Sequence, residues 1–300
     1  MYKVAVLLSS YNGEKYIEQQ IQSILNQKNV EVELYIRDDG STDKTISIIE
    51  KLMKENLNIH LICENNVGYE ESFMKLIYEI VPRTDYYAFS DQDDVWLEEK
   101  LFAAITQICR QSTPAMYYSH LCEVDECLKN SKKRKKEFPP GKVQALFCPF
   151  ARGCTTVFNE QMMQILKKCR IKKKTPHDFW VGLVCTYLGN VIYDETPYIL
   201  YRKHENTVTH RTYYLKKIRS LLSGKLCNNY AIHLLQAYLD ILDDETICCL
   251  EKFANYNKSL ENKLYEIRKV KKTTLKGTIF LKFCFLFNRM EKINVLNNDS

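Results

Sequence analysis

Apolar, strand-like segments alternate with helix-like segments through the first third of the chain, and this alternation constrains the fold more than any other feature. Strands are predicted at the apolar runs 3–9, 32–37, 58–63 and 86–90. Helices are predicted between them, where apolar residues recur at helical spacing, at 14–27, 42–55 and 69–81. This order predicts an α/β fold whose mostly parallel sheet carries helices on both faces.

Each of these predicted strands ends in a polar segment. The segments are Ser9–Gly13, Asp38–Ser41, Asn65–Gly68 and Asp91–Asp94. Taken singly, Asn12-Gly13 and Asp39-Gly40 are ordinary turn dipeptides and Ser41 is an ordinary helix cap. Because parallel strands place their carboxyl ends at one edge of the sheet, the recurrence at successive strands predicts a single ligand site there.

The acidic segment Asp91-Gln92-Asp93-Asp94 is the strongest indication of chemistry. Its carboxylates repel one another unless a cation lies among them. Oxygen ligands at a strand end suit Mg²⁺ or Mn²⁺, so we predict a divalent metal with Asp93 as a direct ligand. The alternative is a solvated acidic turn that caps the next helix. Asp94 has a weaker claim on the metal than Asp93 and could instead cap a helix beginning near Leu97.

Beyond the acidic segment the alternation loosens. Further strands or extended segments are predicted at 116–121, 151–158, 191–194 and 198–204. Further helices are predicted at 97–111, 160–169 and 177–188, and a charged loop at 129–142. The pattern becomes mainly helical from about 212, so we place a domain over 1–210 and a helical, basic region over 211–300.

The formal charge of +6 is unevenly distributed. One basic block is Lys132–Lys136, most simply a solvated loop, and a second group of cations over 268–276 precedes the apolar run 279–287. Both are too short for a nucleic-acid site, so no nucleic-acid partner is predicted. A helix over about 264–287 suits either a peripheral contact with the inner face of the cell membrane or packing on the domain, and the sequence leaves both open.

Two compositional features predict a cytoplasmic location. No apolar run is long enough to span a bilayer. The twelve cysteines are scattered, without the paired spacing of a zinc ribbon, and no secretory leader is recognisable, so we expect reduced thiols.

Several ordered motifs resemble one known family. The segments 4–12, 16–27, 37–43 and 90–96 are similar to the nucleotide-sugar half of family 2 glycosyltransferases. The resemblance extends to its rhamnosyltransferase-like branch through Gly153-Cys154, Phe158-Asn159, His177-Asp178-Phe179-Trp180, and Tyr201-Arg202 with His204 and Asn206. It covers about 1–210 and implies a GT-A fold, with a nucleotide-sugar half over 1–111, an acceptor half over 112–210, and transfer with inversion.

Recognition of the donor's base requires a stacking surface and an acceptor for a pyrimidine N–H. Tyr11 supplies the first and Asp39 the second, although Asp38 could exchange roles with Asp39 because neighbouring strand residues point opposite ways. Ser9 matches the family position that contacts the base. The resemblance also places Asp91 with Asp93, assisting the metal or contacting the ribose.

Inverting transfer requires a base that deprotonates the acceptor hydroxyl, and the resemblance assigns this role to Asp178. Pro176 would open a helix just before it, which stabilises negative charge at that position. We expect His177 to orient the base. Judged from the residues alone, Asp178 could equally be an ordinary acidic residue of a first helical turn.

Three further residues have two open roles each. Arg202 and His204 are expected to neutralise the diphosphate or to hold a phosphate of the acceptor, whereas composition alone makes them a surface pair. Trp180 either forms the floor of the acceptor site or lies in the core.

The sequence therefore predicts a metal-assisted, inverting glycosyltransferase. The expected donor is dTDP-rhamnose or a UDP-sugar. The expected acceptor is a cell-surface or capsular glycan, and the sequence leaves open whether this glycan is linked to a lipid. A sugar-phosphate nucleotidyltransferase is an alternative, but Ser9–Gly13 lacks the Gly-rich, cationic loop that it needs. A non-catalytic glycan-binding subunit of a polysaccharide assembly complex is another, against which Asp91, Asp93 and Asp178 argue.

Overall fold

A mixed β-sheet with helices on both faces forms the centre of the computed structural model, which describes residues 1–80, 84–133, 136, 138–171, 175–204, 227–228, 230–269, 278–279, 282, 286 and 290–291. Its strands are β1 (Tyr2–Ser10), β2 (Val30–Asp38), β3 (Ile59–Cys63), β4 (Tyr86–Ser90), β5 (Val95–Trp96), β6 (Ala115–Val124), β7 (Lys132–Lys133), β8 (Thr156–Asn159) and β9 (Asn190–Arg202). A separate small sheet pairs β10 (Cys227–Asn228) with β11 (Met290–Glu291).

The described helices follow the strands in the predicted order. They are α1 (Ile17–Leu25), α2 (Thr45–Glu55), α3 (Tyr69–Glu79), α4 (Lys100–Ile108), α5 (Lys142–Ala145), α6 (Glu160–Lys168), α7 (His177–Leu188), α8 (Tyr230–Tyr238), α9 (Asp244–Ala254) and α10 (Leu260–Lys269). The strand order β3-β2-β1-β4-β8-β6-β9-β5, with β7 paired to β6, confirms the α/β class.

The first four strands are parallel, as predicted. Val6 of β1 lies opposite Leu34 of β2 and Ala88 of β4, and β3 continues the parallel array from β2. The other half of the sheet is mixed: β8 runs antiparallel to β4 and β6, β9 runs parallel to β6, and β5 runs antiparallel to β9. Adjacent strands can run antiparallel where the chain returns without a crossover to the far end of the sheet.

Alternate residues of β1 belong to two hydrophobic cores, one on each face of the sheet. Val4, Val6 and Leu8 join the apolar residues of α1, α2 and α4. Ala5 and Leu7 join those of α3, α6 and α7. All five side chains are fully buried, so the helices cover both faces as predicted.

Some boundaries differ from prediction because long-range pairing sets them. The two segments predicted at 191–194 and 198–204 form one strand, β9, which pairs with β6 through register shifts around His120. Residues 153–155 form a 3₁₀ turn in place of the first part of the strand predicted at 151–158. Within the predicted loop 129–142, Lys132 and Lys133 pair with β6 as β7.

The described part of the C-terminal region packs on the rest of the chain. Leu234 and Tyr238 of α8, and Leu250 and Phe253 of α9, belong to the same core as α3 and α7. The Tyr265 ring of α10 lies 6.3 Å from that of Phe253. Most of the helix predicted over 264–287, and the boundary near 210, lie outside the described residues. In the described helices, none is long and apolar enough to cross a membrane.

Candidate active site

A cavity of about 1470 Å³ lies where the carboxyl ends of β1, β2 and β4 meet α7. Eight of the ten residues predicted for the site line it: Ser9, Tyr11, Asp39, Asp91, Asp93, His177, Asp178 and His204. Arg202 and Trp180 do not. The polar strand ends therefore form a single site, with the predicted base in the same cavity as the acidic segment.

Tyr11 presents its ring at the mouth of this cavity, with 47% of the residue exposed. The side chain of Gln92 fixes its backbone: Tyr11 N donates to Gln92 Oε1 at 2.8 Å, and Gln92 Nε2 donates to Tyr11 O at 3.1 Å. This pairing ties the end of β1 to the acidic segment. Gln92 was missed from the sequence because an amide between carboxylates gives no signal of its own.

The structure separates the two neighbouring aspartates at the end of β2. Asp38 is fully buried, accepts from Ser10, and accepts from the Ser41 hydroxyl at 2.6 Å, so it holds the turn. Asp39 lines the cavity. Its Oδ1 accepts from Arg37 at 2.6 Å and from Val67 N at 2.9 Å.

Asp39 is thus held by a buried cation and by the loop before α3. Its Oδ2 accepts one described hydrogen bond, from Gly68 N at 2.8 Å. A carboxylate oxygen has capacity for a second donor, which is what recognition of a base N–H requires.

Burial and mutual repulsion act on the acidic segment. Burial, followed by the charges of Asp93 and Asp178, raises the pKa of Asp91 to about 7. Burial and the charges of Asp93 and Asp91 also raise the pKa of Asp94 well above its usual range. The influence of Asp178 on Asp91 shows that the predicted base and the acidic segment lie within electrostatic reach of each other.

The prediction that Asp94 caps the following helix is wrong. Helix α4 begins at Lys100, and its N-cap residue, Glu99, makes no side-chain capping bond. Asp94 is instead fully buried, and its Oδ1 accepts from Arg202 N at 3.1 Å. The cause is the short strand β5, which pairs with β9, so that the helix begins later in the chain than predicted.

The donor atoms of this segment fit a divalent cation. Ligand atoms of Asp91, Asp94 and Cys154 lie within 4.8 Å of one another, and Asp94 Oδ2 has no hydrogen-bond partner among the described residues. Asp93 Oδ2 lies 2.7 Å from His204 Nε2. Carboxylate oxygens suit Mg²⁺ or Mn²⁺, and imidazole is also a common metal ligand. Cys154 was not predicted as part of this cluster.

Asp178 occupies the first turn of α7, which begins behind Pro176 as predicted. Its Oδ1 accepts from Phe179 N at 2.7 Å, and the residue lines the cavity. Backbone N–H groups at a helix N-terminus stabilise a negative charge there. The carboxylate is therefore both accessible to a ligand and held in place by the helix.

His177 does not orient Asp178 through a hydrogen bond. Its ring stacks on Phe73 with centroids 3.8 Å apart, and neither ring nitrogen has a partner among the described residues. A Cβ atom on Gly153 would meet His177 Nε2 at 2.3 Å, so glycine at that position makes room for the ring. Burial lowers the pKa of His177 to about 4, which makes it a poor base at neutral pH.

The buried His177 predicts a loss of stability in mild acid. Its ordinary pKa of about 6.5 applies to the unfolded chain, which therefore takes up a proton that the folded chain refuses. The free energy of unfolding should fall between pH 6.5 and pH 4, by about 3 kcal/mol for this group alone. Urea denaturation of wild type and His177→Phe across that range measures the difference, and parallel pH curves would contradict it.

Trp180 and Arg202 do not line the cavity. Trp180 is fully buried and stacks on Tyr238 with ring centroids 6.2 Å apart, so the structure places it in the core, one of its two predicted positions. Arg202 is 3% exposed, with its guanidinium among protein acceptors, which differs from the expected diphosphate contact. Asn206 lies outside the described residues.

Several cavity residues were not predicted. Tyr69, Glu126 and Arg152 line it, as do the apolar or aromatic residues Leu146, Phe147, Pro149, Phe179 and Tyr230. Tyr69 directly follows the third polar strand end, and Arg152 directly precedes Gly153-Cys154, so both had a signal in the sequence. Glu126 and Tyr230 had none, because only the fold brings their segments here.

The chain matches the family model described as glycosyl transferase family 2 over residues 5–165. It is 30% identical over 220 residues to the dTDP-rhamnosyl transferase RfbG of Shigella flexneri, an alignment that covers 66% of this chain and 72% of that protein.

Solved structures share the fold. The S. aureus TarS fragment 1–349 in complex with UDP-GlcNAc superposes with a TM-score of 0.59 at 19% identity, covering 96% of this chain and 80% of that one. The mannosyltransferase PcManGT of Pyrobaculum calidifontis, in complex with GDP-Man and Mn²⁺, gives a TM-score of 0.50 at 15% identity, covering 95% and 79%.

Proposed function

The chain belongs to glycosyltransferase family 2, and we propose that it transfers rhamnose from a nucleoside-diphosphate donor to a glycan acceptor with inversion at the anomeric carbon. The observation that carries the proposal is that Asp178 and the acidic segment line one cavity. An inverting transferase needs these two groups together, because the leaving diphosphate and the attacking hydroxyl meet at one carbon atom.

The donor end of the cavity is formed by the first three polar strand ends and the acidic segment. The Tyr11 ring stacks on the base, Asp39 accepts its N–H, and Ser9 contacts the base beside them. Ser9 is held by Ser72, with their hydroxyl oxygens 2.6 Å apart. The similarity to the dTDP-rhamnosyl transferase RfbG supports dTDP-rhamnose as the donor.

Asp93 and Asp91 would hold the divalent metal, with His204 beside Asp93. The fit rests on the partly buried carboxylates of Asp91 and Asp93, whose charges repel, and on a buried oxygen of the neighbouring Asp94 without a described partner. The Mn²⁺ in the PcManGT complex supports the choice of ion. When bound, the metal neutralises negative charge that develops on the leaving diphosphate.

Asp178 accepts the proton of the acceptor hydroxyl as that oxygen attacks the anomeric carbon. The new glycosidic bond forms while the bond to the phosphate oxygen breaks, and the nucleoside diphosphate leaves with the electron pair. His177 stays neutral and lies next to the catalytic base, Asp178. Arg152 adds a positive charge on the Asp91 side of the cavity.

The acceptor end is apolar and aromatic, with Phe147, Phe179 and Tyr230 in its wall. Such rings bind the C–H face of a pyranose, which supports a glycan acceptor next to Asp178. The whole cavity exceeds the roughly 300–1000 Å³ typical of a single small-molecule site, so donor and acceptor sugar fit together. A lipid-linked acceptor at the inner face of the membrane remains part of this proposal.

The test is nucleoside-diphosphate release by the full chain from dTDP-rhamnose, UDP-glucose, UDP-GlcNAc and GDP-mannose, with Mn²⁺ and with EDTA. We expect release with Mn²⁺ to be fastest from dTDP-rhamnose. Equal turnover of all four donors would overturn the rhamnose assignment, and absence of release from every donor would count against the proposed activity.

Tyr11→Ala should raise the donor KM by about 5- to 100-fold, because one base–aromatic stack contributes about 1–3 kcal/mol. Leu57→Ala is the matched control, since Leu57 is 93% exposed and does not line the cavity. Donor KM values for both variants decide the point. If Tyr11→Ala and Leu57→Ala had the same donor KM, the nucleobase of the donor would lie elsewhere.

A further inference from the structure

Arg202 is a buried cation beside the acidic segment, although its side chain does not line the cavity. We propose that Arg202 is a positioning residue that holds the backbone of Asp93, directly and with the help of Tyr16, so that the Asp93 carboxylate faces the metal, and that Arg202 does not contact the diphosphate. This inference rests on the proposed function, because it assigns Arg202 a task within the metal-assisted transfer.

Arg202 holds the acidic segment at two points. Its backbone N–H donates to Asp94 Oδ1 at 3.1 Å, and its Nε donates to the Asp93 carbonyl at 2.8 Å. One contact therefore fixes the Asp94 carboxylate, and the other fixes the backbone from which the Asp93 side chain projects. Both come from the last residue of β9, whose pairing with β6 anchors it in the sheet.

Each of the other two guanidinium nitrogens also donates to a protein acceptor. The Nη1 atom donates to the Glu126 carbonyl, and Nη2 donates to Gln19 Oε1 at 2.6 Å. Arg202 is 3% exposed. A planar fork with each nitrogen bonded to the protein is suited to fixing geometry, whereas a diphosphate ligand would need those donors turned toward the cavity.

Tyr16 connects the Arg202 guanidinium to His204, the residue that contacts the Asp93 carboxylate. The guanidinium carbon lies 4.6 Å from the centre of the Tyr16 ring, and the His204 ring lies 5.1 Å from the same ring. His204 in turn reaches Asp93 Oδ2 at 2.7 Å. The Tyr16 ring therefore contacts both the residue that holds the Asp93 backbone and the residue that holds its carboxylate.

Glu126 contacts both Tyr16 and Arg202 and so joins the two. The Tyr16 hydroxyl donates to Glu126 Oε1 at 3.1 Å, and Lys15 Nζ lies 3.0 Å from Glu126 Oε2. The loop that carries Glu126 is also the loop whose carbonyl accepts from Arg202. Residues from α1, this loop and β9 thus hold the carboxylates of Asp93 and Asp94 in place against their mutual repulsion.

Partners that orient a metal ligand typically change metal affinity by about 10- to 100-fold when they are removed. We therefore expect Arg202→Lys and Arg202→Met to weaken Mn²⁺ binding by about that factor and to lower kcat. A lysine keeps the charge but cannot make the same fork of hydrogen bonds. Donor KM measured at saturating Mn²⁺ should change little, because the base and sugar contacts remain.

The experiment is calorimetry with full-length variants and two probes. Mn²⁺ is titrated alone, and the nucleoside diphosphate released by the wild type is titrated in EDTA. The expected result is weaker Mn²⁺ binding by both Arg202 variants, with nucleotide affinity in EDTA within about twofold of wild type. A direct diphosphate contact would instead weaken the nucleotide in EDTA, most in Arg202→Met, and that result overturns the inference.

Tyr16→Leu gives a second route if the Arg202 variants unfold, because it removes the stack and leaves Arg202 in place. It should weaken Mn²⁺ by the same order as Arg202→Lys, and unchanged Mn²⁺ affinity overturns the inference. Lys203→Met is the matched control, since its Nζ pairs with Glu123 at 2.7 Å and it does not line the cavity. Failure of the wild type to bind any nucleotide would reject the proposed function instead.

Discussion

Asp178→Asn should lose sugar transfer by about 10²- to 10⁴-fold while it still binds the nucleotide-sugar donor. The amide cannot take the proton of the acceptor hydroxyl, yet it is similar in size and can still accept from Phe179 N. The proposed donor contacts come from the ends of β1, β2 and β4 and do not include Asp178. Transfer rates and donor affinity, measured on the same preparation, separate the two effects.

A matched carboxylate-to-amide change controls for this experiment. Asp240 is exposed on the surface, pairs with Lys168 only at 3.8 Å, and does not line the cavity, so Asp240→Asn should keep full activity. Retained turnover in Asp178→Asn would move the base to another residue. Loss of donor binding together with turnover would show that Asp178 mainly supports the donor site.

Asp93→Asn should weaken Mn²⁺ binding by about 10- to 100-fold or more and reduce transfer accordingly. Removal of a direct ligand should cost no less than removal of its orienting partners, which is about 10- to 100-fold. The change removes one negative charge, and it also replaces the carboxylate that faces His204 Nε2 at 2.7 Å. Mn²⁺ titration by calorimetry, followed by transfer assays across Mn²⁺ concentrations, measures both effects.

Asp94→Asn is the informative comparison for this variant. Ligand atoms of Asp91, Asp94 and Cys154 form a second possible cation cluster within 4.8 Å. If Asp94→Asn abolished Mn²⁺ binding and Asp93→Asn left it intact, the metal would belong to that buried cluster. We predict the opposite order, with Asp93 contributing more because it lines the cavity and Asp94 does not.

Local patterns predicted the first half of the fold and the position of the site. Periodicity located β1 to β4 and α1 to α3, because each of these elements is long and packs on a single sheet. The polar strand ends then predicted which residues gather, since parallel strands end at one edge. The start of α7 behind Pro176 followed from the fixed backbone angle of proline.

What the sequence did not predict depends on contacts between distant residues. Asp94 reads as a helix cap, and only the backbone of Arg202, 108 positions away, gives it another partner. Arg202 reads as a phosphate ligand until Gln19 and Glu126 accept its hydrogen bonds. Trp180 beside an acidic residue resembles a sugar platform, yet the packing of Tyr238 against it places it in the core.

Thermal denaturation with nucleotide sugars and Mn²⁺ tests the central claim most directly, because only ligands that bind the folded chain raise the midpoint. Wild type is compared with dTDP-rhamnose, UDP-glucose, UDP-GlcNAc and GDP-mannose, each with Mn²⁺ and with EDTA. We predict a rise in the midpoint that is largest for dTDP-rhamnose with Mn²⁺ and smaller in EDTA. An unchanged midpoint with every nucleotide sugar would contradict it.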